Sequence, residues 1–197
     1  MTFELLPALA AFALVSSITP GPNNLMLMAS GANFGFRRTL PHMLGVTLGF
    51  TFMLSLIGVG LIRVFDAYPV SYTVLKGFSV LYLLYLAFRI ATAAPMQATD
   101  RGGRPFSFFQ AALFQWVNPK GWAMALTAVT VYAPSQSPAA IALIALVFGA
   151  INLPSVSTWT LMGQQIQRLL TSPRRLRAFN VTMATLLVGS LYPVFMG

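Results

Sequence analysis

Six apolar runs, each of about 20 to 30 residues, alternate with short polar stretches along this chain. They lie at about 3–34, 40–62, 70–93, 107–132, 138–163 and 178–196. A run of ~20 apolar residues forms a helix long enough to cross the hydrocarbon core of a bilayer, where a helix satisfies its own backbone hydrogen bonds. The sequence therefore predicts an all-α polytopic membrane protein with six transmembrane helices.

Composition supports this assignment and limits the classes of function. Of the 197 residues, 57% are hydrophobic and 8% are charged, which is unlike a water-soluble domain. The net charge of +9 comes from scattered lysines and arginines, without the continuous basic face of a nucleic-acid-binding protein. The chain contains no cysteine, so neither a disulfide framework nor a thiolate metal site is available. We expect no nucleic-acid partner, no metal and no cofactor.

The basic residues are divided unequally between the two sides of the predicted helix bundle. The side reached after the second and fourth runs has only Arg63 and Lys76 near it. By the positive-inside rule the richer side is cytoplasmic, so both termini face outward. The polar stretches on the richer, cytoplasmic side contain Arg37, Arg38, Arg101, Arg104, Arg168, Arg174, Arg175 and Arg177.

Two of the runs contain helix breakers far from their ends. The first has ITPGPNN at 18–24, and the fourth has Asn118-Pro119-Lys120. Proline lacks a backbone donor and clashes with the carbonyl one turn earlier, so each break frees carbonyl groups. In a bilayer such backbone is found buried in protein or lining a cavity. The sequence predicts a polar site at each break, with an ordinary proline kink as the alternative.

The two breaks occupy corresponding places in the chain. Pro20 and Pro119 are 99 residues apart, and the chain divides near residue 98 into two sets of three runs. Paired interrupted helices of this kind are typical of secondary transporters that are built from inverted repeats and bind substrate near the membrane midplane. We predict one membrane domain with inverted halves of about 1–97 and 98–197.

Polar residues around the breaks are the candidate substrate-binding residues. Asn23 and Asn24 resemble the N-terminal cap of a second half-helix, and Asn118 would cap the helix after the second break. Lys120 adds a full charge, although snorkelling to the membrane surface is an alternative for it. For Gln115 and Asn152, a helix-to-helix hydrogen bond is as good an explanation. The predicted set is Pro20, Gly21, Pro22, Asn23, Asn24, Gln115, Asn118, Pro119, Lys120 and Asn152.

Three further residues are singled out by their type and position. His42, near the cytoplasmic start of the second run, is a candidate for gating or protonation, with packing as the alternative. Gly45-x-x-x-Gly49 predicts a close helix contact, within the monomer or in a dimer. The chain has no acid at membrane depth, since its acids are Glu4, Asp66 and Asp100.

The stretches SITPGPNNLMLMASGANFGFRRTLPHMLGVTLGF and FQAALFQWVNPKGW resemble the LysE/RhtB family of amino-acid exporters, and within it the cysteine and O-acetylserine exporter branch. The resemblance spans nearly the whole chain. It implies proton-driven efflux of amino acids or small derivatives by a protein of the bacterial inner membrane, and a homodimer. It also assigns the substrate pathway to the residues of the two motifs. Many relatives have an acid where this chain has Phe50, which argues against a cationic substrate.

These observations predict a secondary-active exporter that works by alternating access. A small neutral zwitterion would place its ammonium on freed carbonyls and amides, and its carboxylate on half-helix N-termini and Lys120. Lys120 and His42 are the candidates for proton coupling. A channel or a non-transporting structural subunit is the main alternative, and it would show no gradient coupling. An intramembrane enzyme is less favoured because the chain lacks a nucleophile paired with a base.

Overall fold

The computed structural model describes residues 5–68, 70–93, 104–133 and 137–192, without the side chains of residues 62, 64 and 66. Glu4, Asp100, Arg101 and the side chain of Asp66 therefore lie outside the described part. Within it the secondary structure is helical throughout. The α-helices are α1 (Leu5–Ile18), α2 (Pro22–Phe34), α3 (Phe36–Leu56), α4 (Ile62–Ala67), α5 (Val70–Ala91), α6 (Phe108–Phe114), α7 (Pro119–Tyr132), α8 (Pro138–Gln167) and α9 (Pro173–Gly189).

Three helical stretches in the described ranges are long and apolar enough to cross a membrane, and a bent pair makes a fourth. The three are α3 with the π-helical turn Ile57–Leu61, then α5, then α8. The bent pair consists of α1 and α2, whose axes differ by 54°. The predicted all-helical membrane class is thereby confirmed. The six-helix inverted repeat is a finer statement that the structure leaves as a prediction.

The first and fourth apolar runs are both divided at their prolines. Residues 19–21 separate α1 from α2, and Pro22 is the first residue of α2. In the fourth run, α6 passes into the 3-10 turn Gln115–Val117, and α7 starts at Pro119. Proline suits the first position of a helix because the N–H that it lacks would have no helical partner there.

Two predicted boundaries were wrong because local capping extends the helices. Gly35 adopts φ 78°, which favours glycine, so it ends α2 and α3 follows at Phe36 rather than at about 40. Helix α9 starts at Pro173 rather than at about 178, because the Ser172 side chain accepts a hydrogen bond from the Arg175 N–H. The N-terminal parts of these two helices therefore contain residues that were expected in loops: Arg37, Arg38, Arg174, Arg175 and Arg177.

Helix α8 lies at the centre of the bundle, where it packs against α1, α2 and α3. Its contact with α2 is the most extensive between any two described helices. A Cβ atom on Gly31 would collide with the backbone carbonyl of Thr160, and one on Gly163 with the carbonyl of Met28. Small residues thus allow the α2 and α8 backbones to touch, as is common between membrane helices.

Gly45 and Gly49 of α3 make a similar close contact with α6. A Cβ atom on Gly45 would collide with the Phe108 carbonyl oxygen and lie 2.8 Å from Ala111 Cβ. A Cβ atom on Gly49 would lie 2.9 Å from Ala112 Cβ. Both glycines therefore pack inside the monomer.

Gly163→Ala is expected to destabilise the folded protein. The added methyl group would meet the Met28 carbonyl, a backbone atom that cannot move aside alone, and overpacking of this kind costs about 1–3 kcal/mol. Gly77→Ala on α5 is the matched control, because no described atom outside the adjacent residues and its own helix backbone lies within 4 Å of the added Cβ. The measurement is the thermal unfolding midpoint of each purified variant in detergent. Equal midpoints for Gly163→Ala and the wild type would contradict the α2–α8 contact.

The outer surface of the bundle is apolar, as a lipid environment requires. In α3 the residues at i, i+4, i+8 and i+12 from position 40 point outward, whereas Met43 and Met53 are buried. A helix that is apolar all round suits a membrane span rather than a helix at a water-facing surface. The outward stripe consists of Leu40, Leu44, Leu48 and Phe52.

Hydrogen bonds from polar side chains connect several helices near one end of the bundle. Asn33 of α2 and Asn180 of α9 exchange two hydrogen bonds of 2.9 and 3.3 Å, and Asn180 also donates to the carbonyl of Ala93, just after α5. Gln164 of α8 accepts from the Phe36 N–H at 2.7 Å. We call this the arginine-rich end, since its helix termini and adjoining segments contain Arg37, Arg38, Arg89, Arg104, Arg168, Arg174, Arg175 and Arg177.

Candidate functional site

The first helix break leaves none of its carbonyls unsatisfied. Each backbone carbonyl of residues 15–21 accepts a hydrogen bond. The Asn24 side chain of α2 donates to the carbonyls of Ser17 and Thr19, both at 2.8 Å. The indole N–H of Trp159 in α8 donates to the Ile18 carbonyl at 3.0 Å. The break is thus a polar site inside an apolar segment, and protein groups supply the hydrogen bonds to its carbonyls.

Lys120 of α7 supplies the remaining donors at the first break. Its Nζ atom donates to the Thr19 carbonyl at 2.8 Å, to the Thr19 hydroxyl at 2.9 Å and to the Pro20 carbonyl at 3.3 Å. An ammonium group has three donors, and these contacts use all of them. The lysine therefore joins the second break to the first instead of snorkelling away from it.

Gly21 makes room for this lysine. Its φ of −176° and ψ of 175° describe extended backbone that any residue adopts, so conformation does not require a glycine here. A Cβ atom at this position would, however, lie 2.6 Å from Lys120 Cδ and 3.2 Å from Nζ. A larger residue at this position would therefore displace the lysine side chain, which passes directly over Gly21.

Asn23 and Gln115 form a second link between the breaks. Asn23 Nδ2 donates to Gln115 Oε1 at 2.8 Å, and Gln115 Nε2 donates back to Asn23 Oδ1 at 3.1 Å. Gln115 also donates to the Ala111 carbonyl at 2.8 Å.

The capping role expected for Asn23 and Asn24 was wrong. The N-cap of α2 is Gly21, and Asn24 instead donates to carbonyls at the end of α1.

Asn118 has a buried acceptor without a partner. It occupies the N-cap position of α7, but its side chain makes no capping hydrogen bond, which differs from the expectation. The residue is 2% exposed, and its Oδ1 atom has no hydrogen-bond partner in the described part of the chain. Leaving a buried acceptor unsatisfied costs about 1–3 kcal/mol. This oxygen is therefore available to a ligand or a water molecule.

Asn152 connects three helices beside the breaks. Its Oδ1 atom accepts from the Thr47 hydroxyl of α3 at 3.0 Å, and its Nδ2 atom donates to the Ser17 hydroxyl of α1 at 3.4 Å. The residue is 6% exposed. Its contacts in this structure are the helix-to-helix hydrogen bonds that the sequence left open as one explanation.

A crevice of about 20 Å³ lies between the two breaks. Phe50, which is 2% exposed, forms part of its apolar wall. The volume is enough for a water molecule and too small for an amino acid. Pro20, Pro22, Gln115 and Pro119 belong to the flanking segments, and the predicted residues that line the crevice are Gly21, Asn23, Asn24, Asn118, Lys120 and Asn152.

His42 lies apart from the breaks, at the arginine-rich end. It is 2% exposed, neither ring nitrogen has a hydrogen-bond partner among the described residues, and its ring centroid lies 5.2 Å from that of Phe106. It lines a cavity of about 310 Å³ between α2, α3, α5 and the segment before α6. Sequence reasoning missed this cavity because four separate segments form its walls. The available signal was Arg89 and Arg104, each close to the end of an apolar run.

The LysE type translocator family matches residues 14–190. The chain belongs to this family. Proteins named cysteine/O-acetylserine efflux protein, from Escherichia coli strain K12 and Shigella sonnei strain Ss046, are each 30% identical to it over 199 residues. These alignments cover 99% of this chain and 100% of each relative. No solved structure matches the chain.

Membership of the LysE family confirms two expectations from the sequence. The motifs were assigned to the correct family, and the protein is a membrane transporter rather than an enzyme. The family match runs through both helix breaks and the cavity near His42. The roles of individual residues are therefore argued from the geometry of the two breaks and of the cavity.

Proposed function

We propose that this LysE-family protein is a secondary-active exporter of small neutral amino acids or their O-acyl derivatives from the bacterial cytoplasm. The efflux proteins named for cysteine and O-acetylserine support this substrate class. The observation that carries the proposal is the Lys120 ammonium bound to the Thr19 and Pro20 carbonyls. It brings two discontinuous helices together at one polar point, as in the midplane sites of inverted-repeat transporters.

The Lys120 contacts indicate where the substrate ammonium would bind. The Thr19 and Pro20 carbonyls already accept hydrogen bonds from one ammonium group, and Asn118 Oδ1 offers a further acceptor in the same crevice. A substrate ammonium that took the place of Lys120 there would release the lysine to pair with the substrate carboxylate. Because both partners of each new contact are polar or charged, this exchange keeps every group hydrogen-bonded.

The lining of the crevice favours a neutral zwitterion over a cationic amino acid. None of its described lining residues is acidic, and Phe50 closes one side of it. A cationic side chain would place a second positive charge near Lys120 in a site of low dielectric, without a carboxylate to balance it. A small neutral side chain would bring no such cost.

Alternating access is the movement that this proposal requires, since the crevice holds no amino acid in its present size. Helices α1 and α2 pack against the long helix α8, and α6 and α7 pack against the long helix α3. Each broken helix therefore rests on the other half of the chain, which supports inverted halves of about 1–97 and 98–197 and six spans. Rocking of these halves would open the crevice to either side.

The topology of the proposed exporter follows from its arginines. All the described arginines except Arg63 lie at one end of the bundle, which supports a cytoplasmic location for that end, outward-facing termini and insertion in the inner membrane. Proton coupling through Lys120 or His42 and assembly as a homodimer both stay predictions.

Export from proteoliposomes tests the proposed function. Vesicles containing the purified protein are loaded with a panel of radiolabelled amino acids, and their release is measured with and without an imposed pH gradient. We expect saturable release of O-acetylserine, cysteine or another small neutral amino acid, accelerated by the gradient, and no release of lysine or arginine. Empty liposomes are the control. Release that does not saturate or respond to the gradient would indicate a channel, and no release of any amino acid would indicate a structural subunit.

A further inference from the structure

We propose that the 310 Å³ cavity at the arginine-rich end is a second binding site, a vestibule in which an α-amino acid zwitterion binds before it reaches the crevice. The inference rests on the proposed function for the direction of transport, but it concerns residues that lie outside both helix breaks. The vestibule is formed by Met26, Ala29, Ser30, Asn33, Phe34, His42, Leu86, Arg89, Ile90, Thr92, Ala93, Arg104, Pro105 and Phe106.

The size and walls of the vestibule suit a small organic molecule. The volume of the vestibule lies at the lower end of the range for ordinary small-molecule pockets. It is about fifteen times the volume of the crevice, which is about 20 Å³. Apolar side chains, among them Met26, Leu86 and Phe106, form most of the wall. A few polar groups among apolar walls are the usual arrangement for recognising the orientation of a ligand.

Two arginines give the vestibule an excess of positive charge. Among the described residues, Arg89 donates one hydrogen bond, from Nη1 to the Tyr85 hydroxyl at 2.9 Å, and its guanidinium lies 5.9 Å from the centroid of the same ring, so its other donors can serve a ligand. Arg104 lines the same cavity from the segment before α6. None of the described lining residues is acidic. Guanidinium groups bind carboxylates through paired, charge-assisted hydrogen bonds, so this end of the cavity fits the carboxylate of an amino acid.

His42 supplies hydrogen-bonding capacity that the protein does not use. Ser30 is already bonded to Thr39 at 2.9 Å, and Asn33 is bonded to Asn180 and to its own helix. By contrast, both nitrogens of His42 are buried without a described partner. A neutral imidazole offers one acceptor and one donor, which match a substrate ammonium and a polar side-chain oxygen. The arginines and His42 together therefore provide for both charged ends of a zwitterion.

Helix α2 connects the vestibule to the crevice. Asn23 and Asn24, in its first turn, line the crevice, and residues further along it, from Met26 to Asn33, line the vestibule. At a rise of about 1.5 Å per residue, these lining residues of the two sites are separated by roughly 3–15 Å along one helix. With the arginine-rich end toward the cytoplasm, the substrate would meet the vestibule first and the crevice second.

Transport kinetics of the double variant Arg89→Gln/Arg104→Gln test the vestibule. The full-length protein is reconstituted, and saturation is measured with O-acetyl-L-serine supplied from the arginine-rich side. We expect KM to rise roughly tenfold to a hundredfold, since charge-assisted bonds to the carboxylate are lost, while kcat changes less than about twofold. Arg174→Gln, at the same end of the bundle but outside the cavity, is the matched control and should leave KM unchanged.

Equilibrium binding of a ligand without the carboxylate makes the test specific. O-acetyl-L-serine and its carboxamide are compared as ligands of the purified wild type and of the double variant. The wild type should prefer the carboxylate, and in the double variant this preference should fall by roughly tenfold or more, to the part that Lys120 supplies in the crevice. Arg89→Lys/Arg104→Lys, which keeps the charge but not the paired geometry, should recover part of the preference. This pattern does not follow from a general loss of folding.

Three results would overturn the vestibule. An unchanged KM and an unchanged carboxylate preference in the double variant would show that the arginines do not bind substrate, while export by the wild type would leave the proposed function intact. A co-purifying anionic lipid that the double variant loses, with amino-acid binding unaltered, would make the cavity a lipid site. A uniform fall in kcat with KM unchanged would show that the arginines support the fold or the conformational change instead.

Discussion

Lys120→Met should reduce amino-acid export by about 100-fold or more without preventing insertion of the protein. The substitution keeps a flexible side chain of similar length but removes the ammonium that bonds to the Thr19 and Pro20 carbonyls. Two hydrogen bonds from a charged donor contribute about 1.5–3 kcal/mol each, and about 1.4 kcal/mol corresponds to a factor of ten. The measurement is the initial rate of export from loaded proteoliposomes, normalised to the folded protein recovered by size-exclusion chromatography.

Three further variants distinguish this role from a structural one. Lys76→Met changes the only other lysine of the chain, which is exposed on α5, and should export at the wild-type rate. Lys120→Arg keeps the charge on a larger, planar group and should retain part of the activity. Gly21→Ala leaves the lysine in place but pushes its side chain off the first break, so export should also fall. Full export of every amino acid by Lys120→Met would remove Lys120 from the mechanism.

The sequence was most informative where backbone chemistry permits few solutions. The breakers at Pro20–Pro22 and at Asn118-Pro119 were predicted to interrupt a helix, and the structure divides both runs there. Single prolines were less decisive, since Pro41 and Pro154 lie inside the continuous helices α3 and α8. The hydropathy of α3, α5 and α8 likewise led directly to helices long enough to span. Family membership followed from the same two motifs, because the motifs combine breakers and amides in an order that chance seldom produces.

Side-chain partners at the breaks were less predictable. Asn23 and Asn24 have the residue type and position of a helix cap, yet Asn24 turns back to the carbonyls of Ser17 and Thr19, and Asn23 pairs with Gln115. An amide serves either purpose equally well, and the choice depends on which unsatisfied group lies nearest in the fold. Local sequence contains no information on a partner 92 residues away.

The cavity near His42 could not be predicted because it depends on helix ends that meet only in the folded bundle. The hydrogen bonds between Asn33 and Asn180 and from Phe36 to Gln164 connect residues 147 and 128 positions apart. The start of α9 at Pro173 was missed for a local reason, since the Ser172 cap outweighs the polarity of the arginines that follow it. Hydropathy alone therefore misjudged this terminus.

Asn24→Asp should destabilise the protein, and clearly more than the same substitution at the neighbouring Asn23. Asn24 is 4% exposed, and its Nδ2 donates to the Ser17 and Thr19 carbonyls. A carboxylate has the same shape but would present an oxygen to two carbonyl oxygens, and a protonated acid could serve only one of them. Leaving a buried acceptor unsatisfied costs about 1–3 kcal/mol. The Ser17 carbonyl would lose its donor, whereas the Thr19 carbonyl keeps the hydrogen bond from Lys120 Nζ, so we expect a loss of about 1–3 kcal/mol. The measurement is the thermal unfolding midpoint and the monodisperse yield in detergent.

Asn23→Asp is the matched control, because it makes the same chemical change one position earlier. Asn23 is bonded to the Gln115 side chain rather than to fixed backbone, and its Oδ1 contact with Gln115 Nε2 is one that a carboxylate can keep. The Asn23→Asp variant loses only one hydrogen bond, to a side-chain oxygen that can move, so the fall in its unfolding midpoint should be clearly smaller. If Asn24→Asp unfolds at the wild-type temperature, or if both variants lose the same stability, the carbonyls of the first break do not depend on Asn24. The difference in unfolding midpoint that we expect would show that the Asn24 amide stabilises the broken helix inside the membrane.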